Sequence, residues 1–447
     1  MDFWTKGGYW LALERRSLLF DLVLAACFFI ASGVFVVSIA IIHRPLVDFG
    51  WYYYAFHVVL SHEDPSLLYN LPAEKAYLTN VLQYRHLTLD SQYEYPPQFA
   101  LLLSFLGRFR FVTSELIWEC LSITSYLASL VWLQSAVYRG SRVLVRLCLI
   151  SVGLLYYPYS SDLLNGNSDW LIFSALALSF ACFRKERRFA GGFVVGIASV
   201  LKVTPVFMLI YFVVKRDARA LGGMLTSLGL FSVVTGFVLG WKVMLFYALS
   251  VVSLGSTSMK FAPAPWNSSI IGVVTAALHH YHRNLSQSAN HVVFLIYALL
   301  MLASFLFVAR RKSADFLQQL TLSPIVVLFL SPLIEAHYVL LLLFPLIVLA
   351  SIQFDRAEQR ARRTESTSPR DVGIIMLTSL TVSIFTLPGW LLSNVFPPEI
   401  FLAIHMVILM VYVWVYKREA LTTVSEASSP LELIRTTPIV EENGVSS

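Results

Sequence analysis

Several polar residues of this chain stand where apolar sequence gives them no ordinary reason to be. Asp48 sits in Val47-Asp48-Phe49-Gly50-Trp51-Tyr52-Tyr53-Tyr54, a carboxylate at the start of an aromatic run. Such a group suits a general base acting on a sugar hydroxyl. It suits equally an N-cap, because Asp is among the favoured capping residues. Lys202 lies in Leu201-Lys202-Val203-Thr204-Pro205, with apolar residues around it. An ammonium there can hold a phosphate as a point charge, or snorkel to lipid headgroups. Further polar groups are Glu94 and Tyr95 before Pro96-Pro97, the segment Asn165-Gly166-Asn167-Ser168-Asp169, Asn267 after Pro265-Trp266, and Glu335 and His337 after Ser331-Pro332. His337 alone fits a satisfied cap or interface residue as well as a site. No third ligand lies near it in sequence, so no zinc site is expected. Ionisable groups at membrane depth are costly, and they usually line a pathway or a site.

The elements that must position these groups are hydrophobic helices. Of 447 residues, 57% are hydrophobic and only 13% charged. The charged share is about half that of a soluble domain, and the apolar excess must face lipid. The sequence therefore predicts an all-α, polytopic membrane protein. Apolar runs recur from 18–42 to 399–416, and span length sets the expectation at about 11–13 crossings. The first run is too long for a signal-peptide core and reads as a retained anchor. Residues 1–17 form a cytoplasmic N-terminus, 18–416 the membrane-embedded domain, and 417–447 a polar, disordered cytoplasmic tail. Residues 43–95 form a first outer loop, in which 51–62 and 72–84 are expected as amphipathic helices lying in the interface.

The net charge of +6 is carried by short basic loops. It reads as a topology signal, and no nucleic-acid-binding stripe is present. Arg108 and Arg110 are expected to return the chain to the inside. Arg184, Lys185, Arg187 and Arg188 mark a second inside loop, and Lys215, Arg216 and Arg219 a third. Between these two lies a hairpin of two short helices, with Lys202 at a tip directed toward the outer side. Segments 255–290 and 331–337 fall outside; 310–312 and 356–363 fall inside. The side of Arg139, Arg142 and Arg146 stays open. On this topology Asp48, Asn167, Lys202, Asn267 and His337 all approach the outer face. The cysteines Cys27, Cys120, Cys148 and Cys182 lie in or beside apolar runs without metal or redox spacing and read as small hydrophobes.

In this order, these residues resemble the polyprenol-phosphate-dependent mannosyltransferases of glycosyltransferase family 87, in the glycosyltransferase-C superfamily. The resemblance runs from about residue 45 to about 350. It is carried by Asp48 with its aromatic run, Leu68-Tyr69, Tyr95-Pro96-Pro97, Gly166-Asn167, and Ala190-Gly191 followed by Lys202 and Pro205. Asn267 with Ser269, and Ser331-Pro332 with His337-Tyr338, complete it. The resemblance implies a glycosyltransferase-C-like bundle in a bacterial plasma membrane, a lipid-phosphate sugar donor, and cell-envelope glycolipid synthesis. It matches Asp48 to the family's catalytic acid and His337 to the histidine of its late Ser-Pro motif. The chain departs from the usual pattern at Asn167, Asp169, Ser268, Glu335 and Ala336, which bears on sugar and acceptor more than on reaction class.

The expected reaction is transfer of a hexose, mannose by resemblance, to a lipid or glycan acceptor with inversion. Asp48 and His337 are the candidate catalytic residues, and Lys202 and Arg44 the candidate donor-phosphate ligands. Tyr52, Tyr95, Asn167, Asp169, Asn267 and Glu335 are the candidate substrate contacts. No metal or other cofactor is expected, because a phosphate leaves readily unaided. The rival expectation is a transporter or flippase of lipid-linked substrates. It accounts for the helices and Lys202, but gives Asp48 no particular task.

Overall fold

The computed structural model describes residues 46–83, 93–138, 143–251 and 336–348, with parts of 25–39 and 286–310 and residue 351. Within them the secondary structure is helical throughout, with no strand among the described residues. Among the described residues two helices are long and apolar enough to cross a membrane, or three if one bent pair is a single span. The remaining expected crossings, the cytoplasmic termini and the sidedness of 255–335 and 356–363 lie wholly or largely outside the described residues.

Helix α1 (Val47–Leu60) follows the first apolar run. A 3-10 turn (Pro65–Tyr69) leads to α2 (Leu71–Asn80), whose N-terminus is capped by Asn70 Oδ1 accepting from the Ala73 amide at 3.0 Å. α2 is polar enough for an interfacial helix; α1 is not. Phe49, Tyr52, Tyr53, Tyr54, Ala55, Phe56 and Val58 are all buried. A helix apolar nearly all round buries itself in protein instead of floating at an interface. This corrects the expectation of an amphipathic surface helix at 51–62.

Pro97 starts α3 (Pro97–Leu103) at a position where no amide is needed. A 3-10 turn (Ser104–Arg108) extends it. Together they reach about 20 Å, short of the ~30 Å of hydrocarbon in a bilayer. The segment instead lies along α1, where the Tyr53 hydroxyl donates to the Phe109 carbonyl at 2.7 Å. Phe111, beside Arg110, packs on Phe49 and Tyr53. Arg108 and Arg110 therefore sit at the same end of the bundle as Asp48, and the expectation that they return the chain to the opposite side is corrected. Helix length overrides charge here, since exposed arginines can reach headgroups at either face.

The first helix of the described region long and apolar enough to cross a membrane is α4 (Phe111–Val137, 27 residues). It ends beside the basic loop before α5 (Val143–Leu154), where Arg146 stands over the Tyr138 ring. α5 and α6 (Tyr157–Asn165) form the bent pair, turning by 48°. Tyr159 stacks on Tyr126 of α4 as the chain returns to the Asp48 end. α7 (Asp169–Arg184) leads away and α8 (Arg188–Leu201) leads back. After Lys202, a 3-10 turn (Thr204–Phe207) and α9 (Met208–Val214) lead away again, and α10 (Ala218–Leu239) returns to α11 (Trp241–Phe246).

Arg188 pairs with Asp217 at 3.0 Å, tying the two basic loops at 184–188 and 214–219 together at the end away from Asp48. Arg146, near the start of α5, belongs to that end as well. The two short helices with Lys202 between them are thus present as expected, and the first of them, α8, packs closely on α10. A Cβ at Gly192 of α8 would collide with the Ala220 carbonyl, and one at Gly223 of α10 with the Phe189 carbonyl.

Candidate active site

The site forms where α1, the α6–α7 connection, the end of α8 and the 3-10 turn Ala336–Leu342 meet. Its geometry depends first on Gly166. This residue ends α6 with φ 71°, in the left-handed region. A Cβ there would lie 2.7 Å from Leu46 Cβ, so glycine alone lets α6 close on the start of α1. The Gly166 carbonyl accepts from Trp118 Nε1 at 3.0 Å, and Glu115 Oε1 accepts the Leu46 amide at 2.7 Å. Both α4 residues thus hold the two segments that present Asp48 and Asn167.

Asp48 lies in the first turn of α1, but it does not cap it. The N-cap is Leu46, which makes no side-chain cap bond. Instead Asp48 Oδ2 accepts from Asn167 Nδ2 at 2.6 Å. Asn167 is the hub of the site. Its Oδ1 accepts from the Ser168 amide at 2.6 Å and the Tyr95 hydroxyl at 3.0 Å, and the Tyr52 hydroxyl, whose proton goes to Tyr95, stands 3.4 Å away. These donors fix which end of the amide is oxygen. The nitrogen can then only donate, and it lies 2.7 Å from His337 Nε2. That ring nitrogen must accept, which puts the ring proton of a neutral His337 on Nδ1.

Lys202 caps the far wall. Its Nζ donates to Asp169 Oδ1 at 2.6 Å and stands 3.8 Å from the centroid of the Tyr338 ring. Asp169 is buried at the N-terminus of α7, and its amide donates to Asp162 Oδ1 at 2.9 Å. Asp169 Oδ2 lies 3.8 Å from His337 Nε2, too far for a hydrogen bond. The Asp162, Asp169 and Lys202 cluster therefore carries at least as much potential negative as positive charge. Tyr52 packs edge-on against Tyr95 and Phe99 beside the site and donates to Tyr95 at 2.8 Å.

Electrostatics poise Asp48. Burial raises its carboxyl from 3.8 to about 7. The Asn167 hydrogen bond and the Lys202 charge pull it down, while the Asp169 charge pushes it up. A carboxylate in that range is near-ideal as a base at neutral pH.

The family model of glycosyltransferase family 87 matches residues 93–334, more than half of the chain. The chain belongs to glycosyltransferase family 87. A polyprenol-phosphate-mannose-dependent alpha-(1-2)-phosphatidylinositol mannoside mannosyltransferase of Mycobacterium tuberculosis is similar at 26% identity over 187 residues. That match covers 38% of this chain and 43% of the relative, so less than half of the relative's length is spanned. No solved structure matches.

Of the residues expected in the site, Asp48, Tyr52, Tyr95, Asn167, Asp169, Lys202 and His337 converge. Arg44, Asn267 and Glu335 lie outside the described residues. Sequence reasoning missed Asp162, and it marked Ser168 and Tyr338 only as members of the 165–169 segment and the His337-Tyr338 pair. Asp162 carried a usable signal, a carboxylate seven residues before Asp169 between two apolar runs. Among the described residues, no cluster of three His, Cys, Asp or Glu could hold a metal ion.

Proposed function

We propose that the protein transfers a hexose from a polyprenyl-phosphate donor to a hydroxyl of a lipid or glycan acceptor, at the outer face of the membrane. The observation carrying this reading is the Asp48 carboxylate, held by Asn167 beside His337 and Lys202 and poised near neutrality. In a single displacement, Asp48 takes the acceptor proton as the oxygen attacks the anomeric carbon. A C–O bond to the acceptor forms, and the C–O bond to phosphate breaks with its electron pair on phosphate. A β-linked donor would yield an α-linked product. Mannose is the sugar favoured by the relative's name.

Lys202 is the described cation for the leaving phosphate. Its ammonium has three donors, and Asp169 takes one. Asp169 also offsets its charge, so the phosphate needs further cations, for which Arg44 is the candidate. No metal is required by this mechanism.

Incubating the purified protein with radiolabelled polyprenyl-phosphate mannose and candidate lipid acceptors tests the reading. Labelled acceptor is the expected product. Movement of intact donor across a vesicle membrane, without bond change, would instead establish a lipid transporter.

A further inference from the structure

Asn167 was expected to touch substrate, yet its polar atoms are already committed. Oδ1 receives the Ser168 amide and the Tyr95 phenol, which in turn receives the Tyr52 phenol. Nδ2 has two hydrogens and two acceptors in reach, Asp48 Oδ2 at 2.6 Å and His337 Nε2 at 2.7 Å. The residue is buried, on the turn that Gly166 forces against Leu46. An amide so saturated has little left for a ligand, but it fixes both groups that flank it.

We infer that Asn167 is the positioning residue of this site, aiming the Asp48 carboxylate with one amide hydrogen and fixing the His337 tautomer with the other. The inference rests on the reading of Asp48 as the base. It assigns different work to each part of the amide. The oxygen, locked by two donors, sets the side-chain rotation. The nitrogen then leaves one Asp48 oxygen, Oδ1, for the acceptor proton. His337 Nε2 is occupied, so His337 offers its partners a ring N–H at Nδ1 instead of a second base. A residue with only acceptors at position 167 cannot do either task.

The test is Asn167→Asp in the full-length protein, with Asn167→Ala and Asn167→Gln beside it. Asn167→Asp keeps the shape and the acceptor oxygen but removes both donors. Lys202 from the end of α8, Asp169 from α7, His337 from the 3-10 turn, and the phenols of Tyr52 and Tyr95 also face this region, and all stay unaltered. In Asn167→Asp, kcat should fall roughly tenfold or more, with KM for the donor changed far less. The midpoint of the pH–rate profile should move upward, because Asp48 loses a hydrogen bond to its ionised form and gains a neighbouring carboxylate. Asn167→Ala should shift it in the same direction, and Asn167→Gln, which retains the amide, should recover part of the rate. Monodispersity and donor-lipid binding report folding for each variant; if Asn167→Ala does not fold, the isosteric Asn167→Asp decides. A purely structural role would lower the yield of folded protein without moving the midpoint. An inactive Asp48→Asn protein with an unmoved Asn167→Asp midpoint overturns this assignment alone. A near-normal Asp48→Asn protein overturns the general-base reading beneath it.

Discussion

At the scale of single residues, the site turns on a carboxylate kept partly out of water. Burial raises the Asp48 carboxyl to about 7 against the opposing pull of the Asn167 hydrogen bond and the Lys202 charge. The active form of a base is deprotonated, so transfer should rise with pH through about 7 and level off above it. Initial rates of sugar transfer at saturating donor, across pH 5.5 to 8.5, check this; a flat profile would exclude Asp48 as the titrating base. Asp48→Asn retains shape and hydrogen bonding, yet removes basicity. It should lose roughly 10²-fold or more in rate while still binding donor. Were Asp48 a cap, Asn would replace it with little effect. Lys202→Met should weaken donor-lipid affinity, measured by equilibrium binding of a labelled polyprenyl phosphate. Unchanged affinity would remove Lys202 from the phosphate site.

At the scale of elements, close approach matters more than helix propensity. α8 and α10 meet through Gly192 and Gly223, where added side chains would strike backbone carbonyls. Gly222, the neighbouring residue, has nothing within 4 Å of where a Cβ would stand. The two positions thus predict opposite outcomes for the same substitution. Gly223→Ala should lower the Tm of the detergent-solubilised protein by several degrees. Gly222→Ala should leave it unchanged or raise it, as alanine is favoured over glycine within helices by about 1 kcal/mol. A similar loss at both positions would mean that the close packing is not what holds α8 against α10. α8 carries Lys202 to the site at its C-terminal end, so Gly223→Ala should also weaken donor binding.

At the scale of the whole molecule, the described chain alternates between two ends. One holds Asp48, Asn167, Lys202 and the exposed Arg108 and Arg110; the other holds the loops joined by Arg188 and Asp217. In a cysteine-free background, single cysteines at His62 and Phe109 should react with an impermeant thiol reagent from the same side. Cysteines at Lys185 and Arg216 should react only from the other. Labelling of positions 62 and 109 from opposite sides would overturn the short, non-crossing path of 97–108.

Hydropathy and charge are sums over neighbouring residues, so the sequence by itself determined the helical membrane character and the two basic loops at 184–188 and 215–219. It also marked Asp48, Lys202 and the 165–169 turn, because a polar group in an apolar run is conspicuous locally. It did not determine that α1 is buried, since an aromatic run looks alike whether lipid, headgroups or protein covers it. Nor did it determine the path of 97–108, where arginine count and segment length pointed different ways. The hub role of Asn167 was decided only by tertiary structure. Its partners Asp48 and His337 lie 119 and 170 residues away along the chain. What one amide can hold depends on which donors and acceptors packing brings within about 3 Å of it, and no property of the local sequence encodes that.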